Sequence, residues 1–260
     1  MKNNRKLSQV FLKNKNVQKR IAKKINDSNY GIILEIGPGC GQITQYLTLS
    51  KKEYIGVEID SNLCSFLSSK LSYLKPKIIN KNFLEIQEQE ILELITTKKP
   101  ALLFGNIPYH ISTNILFKFL ELQLFQEAYF TIQKEFFEVI IAPFNSKKYS
   151  SISVLFQTFC EIHKFFWIDR LNFYPKPQVD SVFISLKKTF SPNKEILENY
   201  LNFVRKCFLK PRKILWNNLI SEKFDVMRLS FIFEKNNLHR NIRAHQLKPS
   251  DIFKLFSNLS

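Results

Sequence analysis

A chain of 260 residues, 45% hydrophobic, has material for one large core or for a domain with a smaller companion. Its apolar runs, such as Ile32-Ile33-Leu34 and Ala101-Leu102-Leu103-Phe104, stop far short of the roughly 18 residues of a membrane span, and Cys40, Cys64, Cys160 and Cys207 lack disulfide-framework or zinc-site spacing, so no membrane and no metal are expected. Lys plus Arg number 39 against 22 Asp plus Glu, and the resulting formal charge of +17 favours a polyanionic partner.

Residues 1–24 hold nine basic side chains and no acid. No secretory apolar segment follows Lys2, Arg5 and Lys6, so a cytoplasmic protein is expected. Val17, Ile21 and Ile25 recur every fourth residue and predict a basic amphipathic helix from about Asn14. Strand-like runs at 32–36, 54–59, 77–80, 101–106 and 128–133 then alternate with helix-like segments around 43–49, 63–71, 88–95 and 113–122. Such alternation implies parallel crossover units with helices on both faces of a sheet. Two further apolar runs, 152–159 and 181–186, flank a loop with Pro175 and Pro177 and are expected to extend that sheet. From Ser191 the period becomes helical, with Leu197, Leu201, Val204 and Phe208 on one face. The expected domains are therefore 1–190 and 191–260, with Ser191-Pro192-Asn193 at the boundary. Arg205, Lys206, Lys210, Arg212 and Lys213 form a second basic cluster, whereas 85–93 is acidic. Segregated charge of this kind points to nucleic acid rather than to compositional drift.

Leu34-Glu35-Ile36-Gly37-Pro38-Gly39-Cys40-Gly41 closes the first of these strands and precedes a helix. Glycines there allow a sharp turn and close backbone approach to a ligand. The pattern is GxGxG rather than the dinucleotide GxGxxG, and Glu58, 21 residues beyond Gly37, sits where an acid closing the next strand accepts from ribose hydroxyls. Together they predict an α/β, Rossmann-like sheet of the S-adenosylmethionine-dependent methyltransferase kind, with a small C-terminal helical domain.

Gly105-Asn106-Ile107-Pro108-Tyr109 follows the strand at 101–106, at the end of the sheet where ligands bind in open α/β folds. An adenine amine is a weak nucleophile because its lone pair is delocalised into the ring. The Asn106 side-chain oxygen and the Ile107 carbonyl can accept its two hydrogens, and Pro108 aims that carbonyl. Tyr109 can stack on the base. The motif thus predicts methyl transfer to N6 of adenine, by positioning and electrostatics rather than by a strong general base.

With these residues in hand, the chain resembles the small-subunit ribosomal RNA adenine N6,N6-dimethyltransferase family over nearly its whole length. The likeness also takes in Gln9-Val10-Phe11-Leu12, Gln133-Lys134-Glu135, Ser151-Ile152-Ser153-Val154, the run from Phe173 to Val179-Asp180-Ser181, and the run from Pro211-Arg212-Lys213 to Leu219. The resemblance implies that S-adenosyl-L-methionine is the cofactor and that two adjacent adenosines in the 3′-terminal hairpin loop of small-subunit (16S) rRNA are dimethylated. It further implies a monomer acting on an immature small ribosomal subunit, in step with ribosome biogenesis. Carried over by motif, Val10, Leu12, Gly37, Gly39, Glu58, Asn82 and Asn106 would meet the cofactor. Asn106, Ile107, Pro108 and Tyr109 would form the catalytic site, with Phe173 as a second aromatic wall. Val10 stands where the family usually has Asn, and Asn82 where it usually has Asp, so weaker cofactor binding is expected. Two other readings share parts of this pattern. Large-subunit adenine methylases of the macrolide-resistance type also use Asn-Ile-Pro-Tyr, although Tyr149-Ser150-Ser151-Ile152-Ser153, Val179-Asp180-Ser181 and Arg212-Lys213 favour the small-subunit group. A non-catalytic assembly factor would have kept the fold and lost cofactor binding.

Overall fold

The computed structural model describes residues 10–47, 52–72 and 76–259. Gln9, the rest of the N-terminal basic run before it, and the end of the helix predicted at 43–49 lie outside them. The chain divides into two compact units, one joining residues up to Lys134 with Glu161–Lys188, the other joining Glu135–Cys160 with Thr189–Ser260.

The first unit is built on a seven-stranded sheet. Its strands are β2 (Ile32–Ile36), β3 (Glu53–Glu58), β4 (Lys77–Asn80), β5 (Ala101–Asn106), β6 (Phe125–Gln133), β7 (Cys160–Ile168) and β9 (Ser181–Lys188), in the order β4-β3-β2-β5-β6-β9-β7. From β4 to β6 the pairs are parallel, with Leu34 opposite both Ile55 and Leu103, and β9 is antiparallel to β6. The order reverses on either side of β2, which opens the crevice at the carboxyl ends of β2, β3 and β5. All five residues of β2 are buried, as a parallel strand covered on both faces requires. Helices α2 (Thr44–Leu47), α3 (Ser61–Lys70), α4 (Glu88–Leu92) and α5 (Ser112–Glu121) make the crossovers.

Helix α1 (Lys15–Asn26) starts where the Asn14 side chain accepts the N–H of Asn16 at 2.9 Å. It buries Ile21, Ala22 and Ile25, and Lys23 and Lys24 in its last turn complement the helix dipole. The Arg20 guanidinium lies 3.8 Å from the centre of the Phe166 ring, so part of the basic run is packed rather than free in solvent. A two-stranded ribbon, β1 (Phe11–Leu12) and β8 (Phe173–Tyr174), sets Leu12 opposite Phe173.

The second unit contains most of α6 (Lys134–Ile140), together with α7 (Ser151–Phe159), α8 (Lys194–Cys207), α9 (Leu215–Ser221), α10 (Val226–Lys235) and α11 (Pro249–Leu259). The run at 152–159, expected as a strand, is helix α7. Ser153 Oγ accepts the Ser150 N–H at 3.0 Å and fixes the helix start, and a short apolar run does not by its period separate a buried helix from a buried strand. The sheet is extended instead by β7. Helix α7 packs on α8 and α11, where Tyr200 shares a 2.9 Å hydrogen bond with Thr158 and lies edge-on to Phe159 and Phe253. That packing is why 135–160, assigned by sequence to the first domain, clusters with the C-terminal helices.

Candidate active site

After β2 the chain turns through Gly37 and Gly39, at φ +62° and +59°, a region that residues with a Cβ rarely adopt. A Cβ on Gly37 would meet no atom within 4 Å, and one on Gly39 would press on the Phe11 ring at 3.2 Å. Gly37 donates its N–H to the Val57 carbonyl at 2.8 Å, tying the loop to β3 one residue before Glu58. The Glu58 carboxylate is buried and accepts two main-chain N–H groups, from Gly39 at 2.9 Å and Asp60 at 3.0 Å. Burial pushes its carboxyl upward, and the two donors counter that in part.

A cavity of about 240 Å³ opens over this loop. Val10, Leu12, Gly37, Gly39, Glu58, Asn82 and Asn106, the seven residues expected to meet the cofactor, all line it. The lining fits S-adenosylmethionine. Glu58 would offer acceptor oxygens to a ribose, the main chain at Gly37 faces open space, and Ile59, Phe83 and Leu84 would supply apolar walls for a purine.

Both departures from the family pattern have a local explanation. Val10 has no polar side chain, yet its carbonyl accepts the Asn106 side-chain amide at 3.4 Å. Asn82 caps the short helix Phe83–Glu85: its Oδ1 accepts the Leu84 N–H at 3.1 Å and its Nδ2 donates to Glu85 at 2.9 Å. Its side chain therefore shapes the loop as well as lining the cavity.

A second, smaller cavity of about 20 Å³ is lined by Val10, Asn106, Ile107, Pro108, Tyr109 and Phe173, so every residue expected at the catalytic site meets there. Val10, Asn106 and Pro108 line both cavities. Asn106 ends β5, and the Ile107 N–H is held by the Thr131 carbonyl at 3.2 Å. Among the described residues, neither Asn106 Oδ1 nor the Ile107 carbonyl accepts a hydrogen bond, whereas the Pro108 carbonyl is taken by the Ile111 N–H and the Ser112 hydroxyl. The Tyr109 hydroxyl shares a 2.8 Å hydrogen bond with Ser181 Oγ. Phe173 is only 2% exposed and packs in the core with Leu12. Phe11 and Ser181 stand within motifs quoted from the sequence but were given no site role there; both act through partners distant in the chain, which no local pattern signals.

The family model for ribosomal RNA adenine dimethylase matches residues 1–260. The chain belongs to that family. A small subunit ribosomal RNA methyltransferase A from Mycoplasma genitalium is 37% identical over 255 residues, covering 98% of this chain and 95% of the relative. The crystal structure of a dimethyladenosine transferase from Plasmodium falciparum superposes with a TM-score of 0.75 at 25% identity, covering 94% of this chain and 95% of that one. That of the 23S rRNA methyltransferase ErmE gives 0.68, also at 25% identity, over 96% and 99%. As a ribosomal RNA adenine dimethylase, the protein is an S-adenosylmethionine-dependent methyltransferase of rRNA, and its α/β Rossmann-like fold is that of its structural neighbours.

The dimethylase carries one further buried acid beside the cofactor cavity. Glu35 Oε2 accepts the hydroxyls of Thr44 and Tyr54, each at 2.8 Å, but burial dominates and raises its carboxyl from 4.5 to about 7. A raised native value means that the folded state holds this proton after the unfolded chain has released it. Through this group, stability should fall as pH rises from about 4.5 to about 7. Glu35→Gln should flatten the pH dependence of chemical denaturation over that window; an unchanged slope would assign it to other groups.

Proposed function

We propose that this enzyme dimethylates the N6 amines of two adjacent adenosines in the 3′-terminal hairpin loop of small-subunit rRNA, acting as a cytoplasmic monomer on an immature small subunit. The small-subunit target is supported by the name of the Mycoplasma genitalium relative, which matches across both compact units, and by Arg212-Lys213, exposed after α8. Among the described residues no helix is long and apolar enough to cross a membrane.

The observation that carries the chemistry is the orientation of Asn106. One N–H of its side-chain amide goes to the Val10 carbonyl at 3.4 Å, which leaves Oδ1 to accept from the amine, and the Ile107 carbonyl lining the same cavity is the second acceptor for its two hydrogens. Holding both hydrogens fixes the amine plane and exposes its lone pair toward the cavity that Asn106 and Pro108 share. S-adenosylmethionine supplies an electrophilic methyl group on its sulfonium when bound. The small cavity is lined by no carboxylate or imidazole, consistent with an alkylated amine acidic enough to release its proton to water. At about 20 Å³ it holds roughly one water, so base entry requires its walls to move. Core-packed Phe173 is the fixed wall and half-buried Tyr109 the movable one.

Primer extension on both rRNAs after reaction with immature ribosomal particles tests the target. Stops confined to the 3′ hairpin of the small subunit are expected, and modification confined to the large subunit would overturn the assignment. Of the second basic cluster, Lys206 faces Glu222 at 3.9 Å, whereas Arg205, Lys210, Arg212 and Lys213 are exposed. Reversing charge at Arg212 and Lys213 should weaken particle binding about ten-fold at low salt and flatten its salt dependence. Filter binding across a salt series measures both, and an unchanged slope would show the cluster to be merely solvated.

A further inference from the structure

One aromatic side chain near the site has no part in the chemistry above. Trp167, next to last in β7, is 44% exposed, although its neighbours Phe166 and Ile168 are buried. Two ammonium groups face its ring, Lys164 Nζ at 4.8 Å and Lys134 Nζ at 5.6 Å from the centroid. Among the described residues neither lysine has an ion-pair partner. Acids in the adjoining turns are engaged with main chain: Asp180 accepts the Arg170 N–H at 3.0 Å and Asp169 the Leu171 N–H at 2.7 Å. The patch thus joins a partly exposed ring to two ammonium groups that no carboxylate pairs among the described residues.

Its position ties it to the small cavity. The Lys134 N–H bonds the Asp180 carbonyl at 3.0 Å, and the next residue, Ser181, holds the Tyr109 hydroxyl. On the other side β7 runs through the short helix Arg170–Asn172 into Phe173. Trp167 is thus joined by short links to both aromatic walls.

We infer that Trp167 is a stacking platform for an unpaired RNA base flanking the methylated adenosine, with Lys134 and Lys164 on the adjoining phosphates; this rests on the rRNA-methylating reading above. A base drawn out for chemistry leaves its neighbours partly unstacked, and an exposed ring beside unpaired cations replaces that stacking while neutralising the backbone. The ring selects no sequence, because every base has a π face. It sets the register of the strand, so that the loop enters with an adenosine at Asn106.

The chain's other tryptophan, Trp216, lies in the second unit, edge-on to Phe233 and 9% exposed. In Trp216→Phe protein, emission reports Trp167 alone, and a stem-loop RNA with two adjacent loop adenosines should quench it at saturation, judged independently by anisotropy of labelled RNA. Trp167→Ala should raise KM for the immature small subunit roughly ten-fold, with kcat within about two-fold and S-adenosylmethionine affinity unchanged. Trp167→Phe should recover most of the loss, and Lys134→Gln with Lys164→Gln should lower the salt slope of binding by about 1.4. Unquenched emission at saturating RNA, or an unchanged KM in Trp167→Ala, overturns the platform while wild-type methylation stands. Failure of the wild-type chain to transfer any methyl group strikes the catalytic reading instead, and quenching then decides the platform alone.

Discussion

Replacing Asn106 by alanine should slow methyl transfer roughly 10²- to 10³-fold while leaving RNA affinity within about two-fold, the size expected when one preorganised hydrogen-bonding group is removed from a reacting centre. On the proposed mechanism Oδ1 and the Ile107 carbonyl share the two hydrogens of the amine, and without Oδ1 only the Ile107 carbonyl would hold it. The basic clusters in α1 and after α8, to which RNA binding is assigned by the proposal, lie outside the small cavity, so binding and rate should separate. Asn106→Asp sharpens the test. A carboxylate still accepts from the amine, but its second oxygen then faces the Val10 carbonyl, acceptor against acceptor. Its rate should fall between wild type and alanine. Single-turnover rates at saturating RNA and cofactor, with RNA affinity measured separately, decide the matter. Parallel loss of rate and RNA affinity in Asn106→Ala would mean that Asn106 shapes the RNA surface rather than the amine.

What the sequence disclosed depended on whether the physics was local. Val17, Ile21 and Ile25 at every fourth residue placed a helix from about Asn14, and α1 starts one residue later, with Asn14 as its cap. Strands β2 to β6 and the two cavity-lining motifs were legible because a glycine turn, a strand-end acid and an Xaa-Pro restriction act over a few residues. The stretch 152–168 was not, since both α7 and β7 draw on short apolar runs, and α7 has packing against α8 and α11 in addition to its Ser150–Ser153 cap. The ribbon pairing Phe11 with Tyr174 and Leu12 with Phe173 joins segments some 160 residues apart, and no pattern within either announces the other. The same holds for Ser181 as partner of Tyr109. At Val10 and Asn82 the residue types suggest a weakened donor side; in the structure the Val10 carbonyl accepts from Asn106 and Asn82 caps a loop, and cofactor titration is the measurement that decides the expectation.

Glu58→Gln should weaken S-adenosylmethionine binding about 100-fold while sparing RNA affinity. The native carboxylate offers an oxygen to each of two main-chain donors, Gly39 and Asp60, and retains further lone pairs toward the cavity. Glutamine has one oxygen. Whichever way its amide turns, one N–H meets another donor, and a buried donor left unmatched costs roughly 1–3 kcal/mol. The ribose reading adds a second loss, because both hydroxyls donate and an amide nitrogen cannot accept. The first loss burdens free and bound protein alike and falls on stability; the second, up to about 3 kcal/mol for a hydroxyl set against a donor, falls on affinity and reaches a factor near 100. The pH dependence separates this from general loosening of the loop. Only the ionised carboxylate accepts from every side, and burial raises the pH at which it ionises. Cofactor affinity should therefore decline as pH falls through that raised value in the wild type, and Glu58→Gln should remove this dependence. Calorimetric titration of S-adenosylmethionine across acidic to neutral pH measures both quantities. Comparable affinity in the two proteins would show that Glu58 serves only to hold the glycine loop, and the ribose contact would have to be sought elsewhere in the cavity.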